Sequence, residues 1–297
     1  MSDIVDDGSP LARDVVARVL ARMRLPAAVS ANEAGLRATY AVWCRFVPFD
    51  NVRKMLALAE GGDAPLPGMD PGRFFEDWLR DGAGGTCWPT NGALTALLLA
   101  LGFDARRVGS AMRDLGVVNH GTCVVRVDGA ELLVDSSMLF GVPLPIAAAP
   151  YVRRDLPLYV EFERDGGDPV FWFDVPSDPV ARPCRLVVDP IPYADTVATF
   201  ERSRLKSPFN ARLYVRRIVD DRLTVLNGTT LSWSTAGARA TRELGGDEIL
   251  AFLREQVGLA PALVERWRAA GCLAASLKPS PDPLPPAPTR PPPSQRG

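Results

Sequence analysis

The chain changes its hydrophobic rhythm twice. Up to about residue 102, apolar residues recur at helical spacing. Leu11, Val15, Val19 and Met23 make one stripe, and Leu36, Tyr40 and Trp43 a second. Phe74, Phe75 and Trp78 make a third, and Leu94, Leu97, Leu98 and Leu101 a fourth. The punctuation agrees with four helices. Ser9-Pro10 reads as an N-cap followed by a first-turn proline, Ser30 to Glu33 as a capping box, and Asp70-Pro71 as another start. Pro48, Gly82 and Gly102 read as stops. From about residue 105 to 208 the rhythm shortens to β-branched runs broken by Gly and Pro, which predicts antiparallel strands. Asp128-Gly129, between runs at 122–127 and 131–135, predicts a two-residue hairpin turn. A third region, 209–274, predicts strands near 213–219, 223–226 and 230–233, with Asn227-Gly228 turning between the last two. It closes with a helix opened by Asp247 and stopped by Gly258. Residues 279–297 hold nine of the 28 prolines, a composition that cannot pack a core. The expected division is a helical segment (1–104), a β segment (105–208), an α/β segment (209–274) and a disordered Pro-rich tail (275–297), an α+β fold class.

Composition narrows the chemistry. With 297 residues, 47% of them hydrophobic, there is material for a large core. A net charge of -1 lacks the basic excess expected of a nucleic-acid partner. No positive segment precedes an apolar run at the start, so no signal peptide is expected. The longest apolar run, around 94–101, is too short for a bilayer, so no membrane partner is expected. Five cysteines, odd in number and scattered, argue against a disulfide framework and for a reducing, cytoplasmic location. There is one histidine, His120, which excludes multi-histidine metal sites; no metal is expected. Any imidazole base must be His120.

Three residues then stand out. Cys87 follows Gly84-Gly85-Thr86 and opens the leucine-striped helix. A helix N-terminus favours a thiolate, and its free N–H groups can receive an oxyanion. Pro89 is tolerated there because first-turn N–H groups have no helical partner. The plainer reading is a buried cysteine in a glycine-rich turn. The Asp128-Gly129 turn pairs Val127 with Ala130, hence Thr122 with Asp135 and His120 with Ser137. His120 and Asp135 then share one face as diagonal neighbours, roughly 7–8 Å apart and within side-chain reach. The plainer reading is a solvated polar end of a hairpin. Cys123 falls on the opposite face, which argues against a zinc site with His120. One helix-terminal cysteine and one histidine with a carboxylate partner make the logic of nucleophilic catalysis: Cys87 nucleophile, His120 base, Asp135 orienting the imidazole.

These residues resemble the arylamine N-acetyltransferase family. Pro48-Phe49-Asp50-Asn51-Val52 is similar to its Pro-Phe-Glu-Asn-Leu segment, and Gly84 to Asn91 to its Arg-Gly-Gly-x-Cys-aromatic-Glu-x-Asn nucleophile motif. His120 and Leu133-Val134-Asp135 fall where the family has its other triad members. Ser207-Pro208-Phe209 and the Asn227-Gly228 turn resemble the entry to its third domain and the turn there. The resemblance implies a helical bundle, a central antiparallel β-barrel, a C-terminal α/β lid and a papain-type cysteine triad. It implies ping-pong transfer of an acetyl or other acyl group from acetyl-CoA through Cys87 to a small-molecule amine. Two alternatives stand beside it. One is an amide synthase acting on a chain borne by an acyl carrier protein; the other is an inactive triad scaffold that binds a partner. Ala83 replaces the family's Arg and Asp50 its Glu, so Asp50 needs another partner or faces water. Pro89 replaces its Glu or Gln, and Ser136-Ser137-Met138 its Val-Gly-Phe, so the acceptor pocket is expected to differ from that of a simple arylamine enzyme. Arg216-Arg217, with Arg212, either meets the CoA phosphates or lies on a solvated strand edge.

Overall fold

The computed structural model describes residues 10–279 and 286–290. Its first apolar stripes fold as α1 (Arg13–Met23) and α2 (Glu33–Phe46). Both start later than the sequence signals suggested. Asn32, rather than Ser30, caps α2 by accepting from Gly35 N–H at 2.9 Å. After Pro48 comes a two-residue strand, β1 (Phe49–Asp50), then α3 (Val52–Glu60), neither of them expected. The remaining two stripes fold as predicted. In α4 (Pro71–Asp81), Asp70 accepts from Arg73 N–H at 2.7 Å and Gly82 stops the helix in the left-handed conformation. The last stripe is α5 (Cys87–Ala100), buried on nearly all sides through Leu98.

The shorter rhythm folds as β2 (Asp104–Met112), β3 (His120–Val127), β4 (Ala130–Val134), β5 (Leu144–Pro145), β6 (Tyr151–Arg153), β7 (Val160–Asp165), β8 (Asp168–Val175) and β9 (Asp178–Pro190). They form one antiparallel sheet of eight strands in the order β5-β4-β3-β2-β9-β8-β7-β6. The order itself demands curvature. Eight flat strands spaced about 4.8 Å apart would put the edges roughly 34 Å from each other. The chain from Pro145 to Tyr151 spans at most about 21 Å. The sheet therefore curls into a half-barrel, and Tyr151 hydroxyl donates to the Pro145 carbonyl across the gap at 2.9 Å. Asp128 and Gly129 both have positive φ, and Val127 pairs with Ala130, so the hairpin register is the one its turn dictates.

A further helix, α6 (Tyr193–Arg202), follows where only strand had been expected. The third region holds β10 (Tyr214–Val219), β11 (Arg222–Asn227), β12 (Thr230–Ser234) and β13 (Arg239–Glu243), a sheet that β1 completes at the β10 edge. The turn before β12 is Gly228-Thr229, one residue later than expected. Then come α7 (Gly246–Ala251), a π-helical turn (Phe252–Val257) ending at left-handed Gly258, and two helices the sequence did not suggest, α8 (Pro261–Ala269) and α9 (Cys272–Ser276).

The three regions share their cores. The largest apolar cluster draws Val19, Trp43 and Leu97 from the helices, Val125 and Phe171 from the half-barrel, and Leu223 and Val225 from β11. A second joins Val52 and Leu56 of α3 to Leu226 of β11, Leu253 and Trp267. Of the tail expected to be disordered, residues 280–285 and 291–297 lie outside the described residues. Residues 275 and 276 finish α9, and Arg290 lies on the half-barrel. It pairs with Ala181 along the backbone, meets Glu161 and Glu163, and stacks 3.9 Å from the Trp172 ring centroid. No helix among the described residues is long and apolar enough to cross a membrane.

Candidate active site

Cys87 is placed by the loop before it. Gly84 is needed because a Cβ there would lie 1.9 Å from the Pro48 carbonyl oxygen. Gly85 O accepts from Asp50 N–H at 3.0 Å, so β1 and the loop run side by side. The Asp50 carboxylate braces the same loop: Oδ2 accepts from Gly84 N–H at 2.7 Å and Oδ1 from Val52 N–H at 3.0 Å. Two backbone N–H groups thus take the place of the arginine missing at Ala83. Asn51 carries the brace onward, donating to the Phe209 and Arg212 carbonyls and accepting from Tyr214 N–H.

That brace makes a pH prediction. Burial pushes the Asp50 carboxyl up from 3.8 to about 6, against the pull of the two N–H groups and Arg53. Between these values the folded chain binds a proton that the unfolded chain lacks. This contribution to stability is therefore full below about pH 4 and is lost as pH rises through 6, on the order of 3 kcal/mol. Asp50→Asn removes the titration. Urea unfolding at a series of pH values should then show stability rising more steeply, or falling less, between pH 4 and 6 than in the wild type. Identical slopes in the two proteins would remove Asp50 as the cause.

His120 opens β3, and Asp135 directly follows β4, as the hairpin register requires. His120 Nε2 lies 2.7 Å from Asp135 Oδ2. Asp135 Oδ1 accepts from Ser137 N–H at 2.7 Å and Met138 N–H at 3.0 Å. The other imidazole nitrogen is left for Cys87, whose thiol feels both His120 and the Gly121 N–H. Cys87, His120 and Asp135 are 7%, 6% and 2% exposed. Burial pushes the Cys87 thiol up, but the hydrogen bond and charge of His120 outweigh it and hold the thiol below its ordinary range. Burial would likewise lower His120, yet the Asp135 carboxylate and the Cys87 sulfur raise it well above its usual value. Asp135 itself is held low by His120 and the two N–H groups, against its own burial. Three other cysteines behave differently: burial pushes Cys44 to about 12, and Cys184 and Cys272 to about 11.

Asn91, one helical turn after Cys87, ties the three segments together. Its Nδ2 donates to Gly121 O at 2.6 Å, to Cys87 O at 3.1 Å and to Ser137 Oγ at 3.2 Å, while its Oδ1 accepts from Ser136 N–H at 2.9 Å. Tyr40 supports the turn from below by donating to Asp135 O at 2.7 Å. Gly121 lets the Trp88 ring lie on β3, where a Cβ would be 2.5 Å from the ring.

Cys87 and His120 line a cavity of about 760 Å³. Phe49, Trp88 and Phe200 supply apolar wall beside Cys87. Arg212 and Arg216 also line it. Arg216 is 4% exposed, so it is no solvated strand edge. Arg217 turns away, donating to the carbonyls of Arg45 and Gln256. Among the described residues, no three His, Cys, Asp or Glu side chains converge as metal ligands.

Residues 34–154, which contain Cys87, His120 and Asp135, match the family model described as N-acetyltransferase. The resemblance to the arylamine N-acetyltransferases holds. Solved structures of that family share the fold. A variant of the Mycobacterium smegmatis enzyme superposes with a TM-score of 0.76 at 21% identity, over 89% of this chain and 99% of that one. The Mycobacterium marinum arylamine N-acetyltransferase in complex with CoA gives 0.74 at 18% identity, over 88% and 98%. The Salmonella typhimurium enzyme gives 0.71 at 16% identity, over 88% and 99%. No curated protein matches this sequence. The half-barrel with a helical N-terminal region and a C-terminal α/β region is thus the fold of the arylamine N-acetyltransferases.

Proposed function

We propose that this chain is an N-acyltransferase that moves an acyl group from a CoA thioester to an amine through a thioester on Cys87. One observation carries the reading. The only histidine of the chain is hydrogen-bonded to a carboxylate and holds down the thiol of a cysteine at a helix N-terminus, and both it and the cysteine line a cavity large enough for a small-molecule substrate. In the first half-reaction His120 holds the Cys87 proton and the thiolate attacks the thioester carbonyl. The free N–H groups at the start of α5, where Cys87 sits, are the donors in this reading for the developing oxyanion. The C–S bond to CoA breaks, and the CoA thiolate takes the proton from His120. In the second half an amine attacks the Cys87 thioester, His120 takes the amine proton, and Cys87 leaves as thiolate. Asp135 keeps the imidazole in place throughout.

The family match supports acetyl-CoA as donor, as does the solved relative that holds CoA. A small-molecule amine is the acceptor in this reading. A donor thioester borne by an acyl carrier protein would use the same residues, and the intact geometry weighs against a retired scaffold. The decisive experiment is intact-mass spectrometry after brief incubation with acetyl-CoA, beside Cys87→Ala. One added acetyl group on the wild type alone is expected. An acetyl group that persists on the Cys87→Ala protein would refute the assignment of the nucleophile.

A further inference from the structure

The cavity is lined by seven Lys and Arg side chains and, among the described residues, by no Asp or Glu. Two of the seven are buried: Lys54 and Arg216, each 4% exposed. Arg216 lies in β10, directly across from Phe49 of β1. Its Nη1 meets the Ser137 carbonyl and the Met138 sulfur, both at 3.1 Å, and its Nη2 donates to the Tyr214 hydroxyl at 3.1 Å. Its Nε, fully buried, has no partner. Lys54 Nζ donates to Ser203 Oγ at 2.8 Å and lies 5.4 Å from the Phe200 ring centroid. All of these contacts are neutral, although the charges of Cys87 and Glu201 also act on Lys54. Taking a charge out of water costs free energy that neutral partners offset only in part, so buried cations are ordinarily met by an anion.

We propose that Arg216 and Lys54 form a carboxylate-binding subsite, so that either the accepting amine or the transferred acyl group carries a carboxylate. This rests on the acyl-transfer reading and narrows its substrate. Arg216 is one hydrogen bond from Ser137, whose N–H is held by Asp135 and whose hydroxyl meets Asn91. It therefore stands beside the reacting centre. Lys54 and Cys87 line the same cavity. Burial lowers Lys54 to about 8, against the charges of Cys87 and Glu201. The phosphates of CoA, or of a carrier's prosthetic arm, are held a pantetheine length from the thioester sulfur. With that sulfur at Cys87 they cannot also sit beside Ser137. The exposed cations on the cavity wall, Arg202 and Lys206, suit them better. A guanidinium with an unused Nε–H presents the planar donor edge that a carboxylate matches.

The test is calorimetric and needs no turnover, so a failure of Cys87 to become acylated would fall on the acyl-transfer reading alone. Cys87→Ala protein is titrated with an aminobenzoate and its methyl ester, and separately with succinyl-CoA and butyryl-CoA. Binding at least tenfold tighter for the charged member of one pair is expected. The first pair responding assigns the carboxylate to the acceptor, the second to the acyl group. Adding Arg216→Met should erase that preference, and adding Arg216→Lys should retain most of it. If Arg216→Met does not fold, Lys54→Met serves in its place and should reduce the preference. Equal affinity within each pair, or a preference that survives the loss of Arg216 or Lys54 charge in a folded protein, would overturn the proposal.

Discussion

Replacing His120 with glutamine is expected to slow thioester formation from acetyl-CoA at neutral pH by about a millionfold or more. Two effects multiply. The first is ionisation. Cys87 is buried, as are Cys44 and Cys184, whose thiols burial pushes to about 12 and about 11. What holds Cys87 below the ordinary range is the hydrogen bond and charge of His120. Without them the thiol should rise toward its buried neighbours, leaving roughly one part in ten thousand as thiolate at pH 7. The second effect is proton transfer, typically a hundredfold to ten-thousandfold. No second imidazole can substitute, because the chain has only one histidine. Rapid-quench mass spectrometry measures the rate. Iodoacetamide alkylation against pH separates the two effects, since the thiolate profile alone should move up by several pH units in the variant. A His120→Gln protein that acylates within tenfold of the wild type would remove His120 as the base.

The parts of this site legible in the sequence were those set by local rules. The Asp128-Gly129 turn has one favoured geometry, and that geometry fixes which residues of β3 and β4 face each other. His120 and Asp135 follow from it without knowledge of the rest of the fold. Cys87 is likewise local, a residue between a glycine-rich loop and a strongly apolar helix. What the sequence concealed depends on contacts between distant segments. Asn91 bonds to Gly121 and to the 136–137 turn, which lie 30 and 46 positions away or thereabouts along the chain. Arg216 faces Phe49 across a strand pair that no periodicity announces, because β1 is two residues long. The helix α3 did leave a signal, with Val52, Met55 and Leu56 spaced for one buried face. The intervening Arg53 and Lys54 masked it, and Lys54 is buried only because α6 covers it with Phe200 and Ser203 nearby. Short helices such as α8 and α9 owe their existence to the cluster around Trp267 rather than to propensity of their own.

Replacing Asp135 with asparagine should lower the same rate by about ten-thousandfold while leaving the fold intact. The asymmetry of the carboxylate explains both halves. Asp135 Oδ1 accepts two backbone N–H bonds that close the 136–138 turn, and Oδ2 meets His120 Nε2. An asparagine can keep its oxygen on the two N–H groups, which preserves the turn and with it the contact to Tyr40. Its amide nitrogen is then forced toward His120 Nε2. Because that nitrogen can only donate, Nε2 must accept, and the imidazole proton moves to the nitrogen that faces Cys87. The base is then already protonated on the side where it should receive the thiol proton. The carboxylate charge that raises His120 is lost as well, so the imidazolium formed on proton transfer is less stable. Denaturant midpoints should therefore change little, whereas the rate should collapse and the alkylation profile of Cys87 should shift to higher pH. A variant that keeps more than a tenth of wild-type activity would show that the hairpin alone, without the carboxylate, suffices to orient His120. A variant that loses stability and rate together would instead assign Asp135 chiefly to holding the turn.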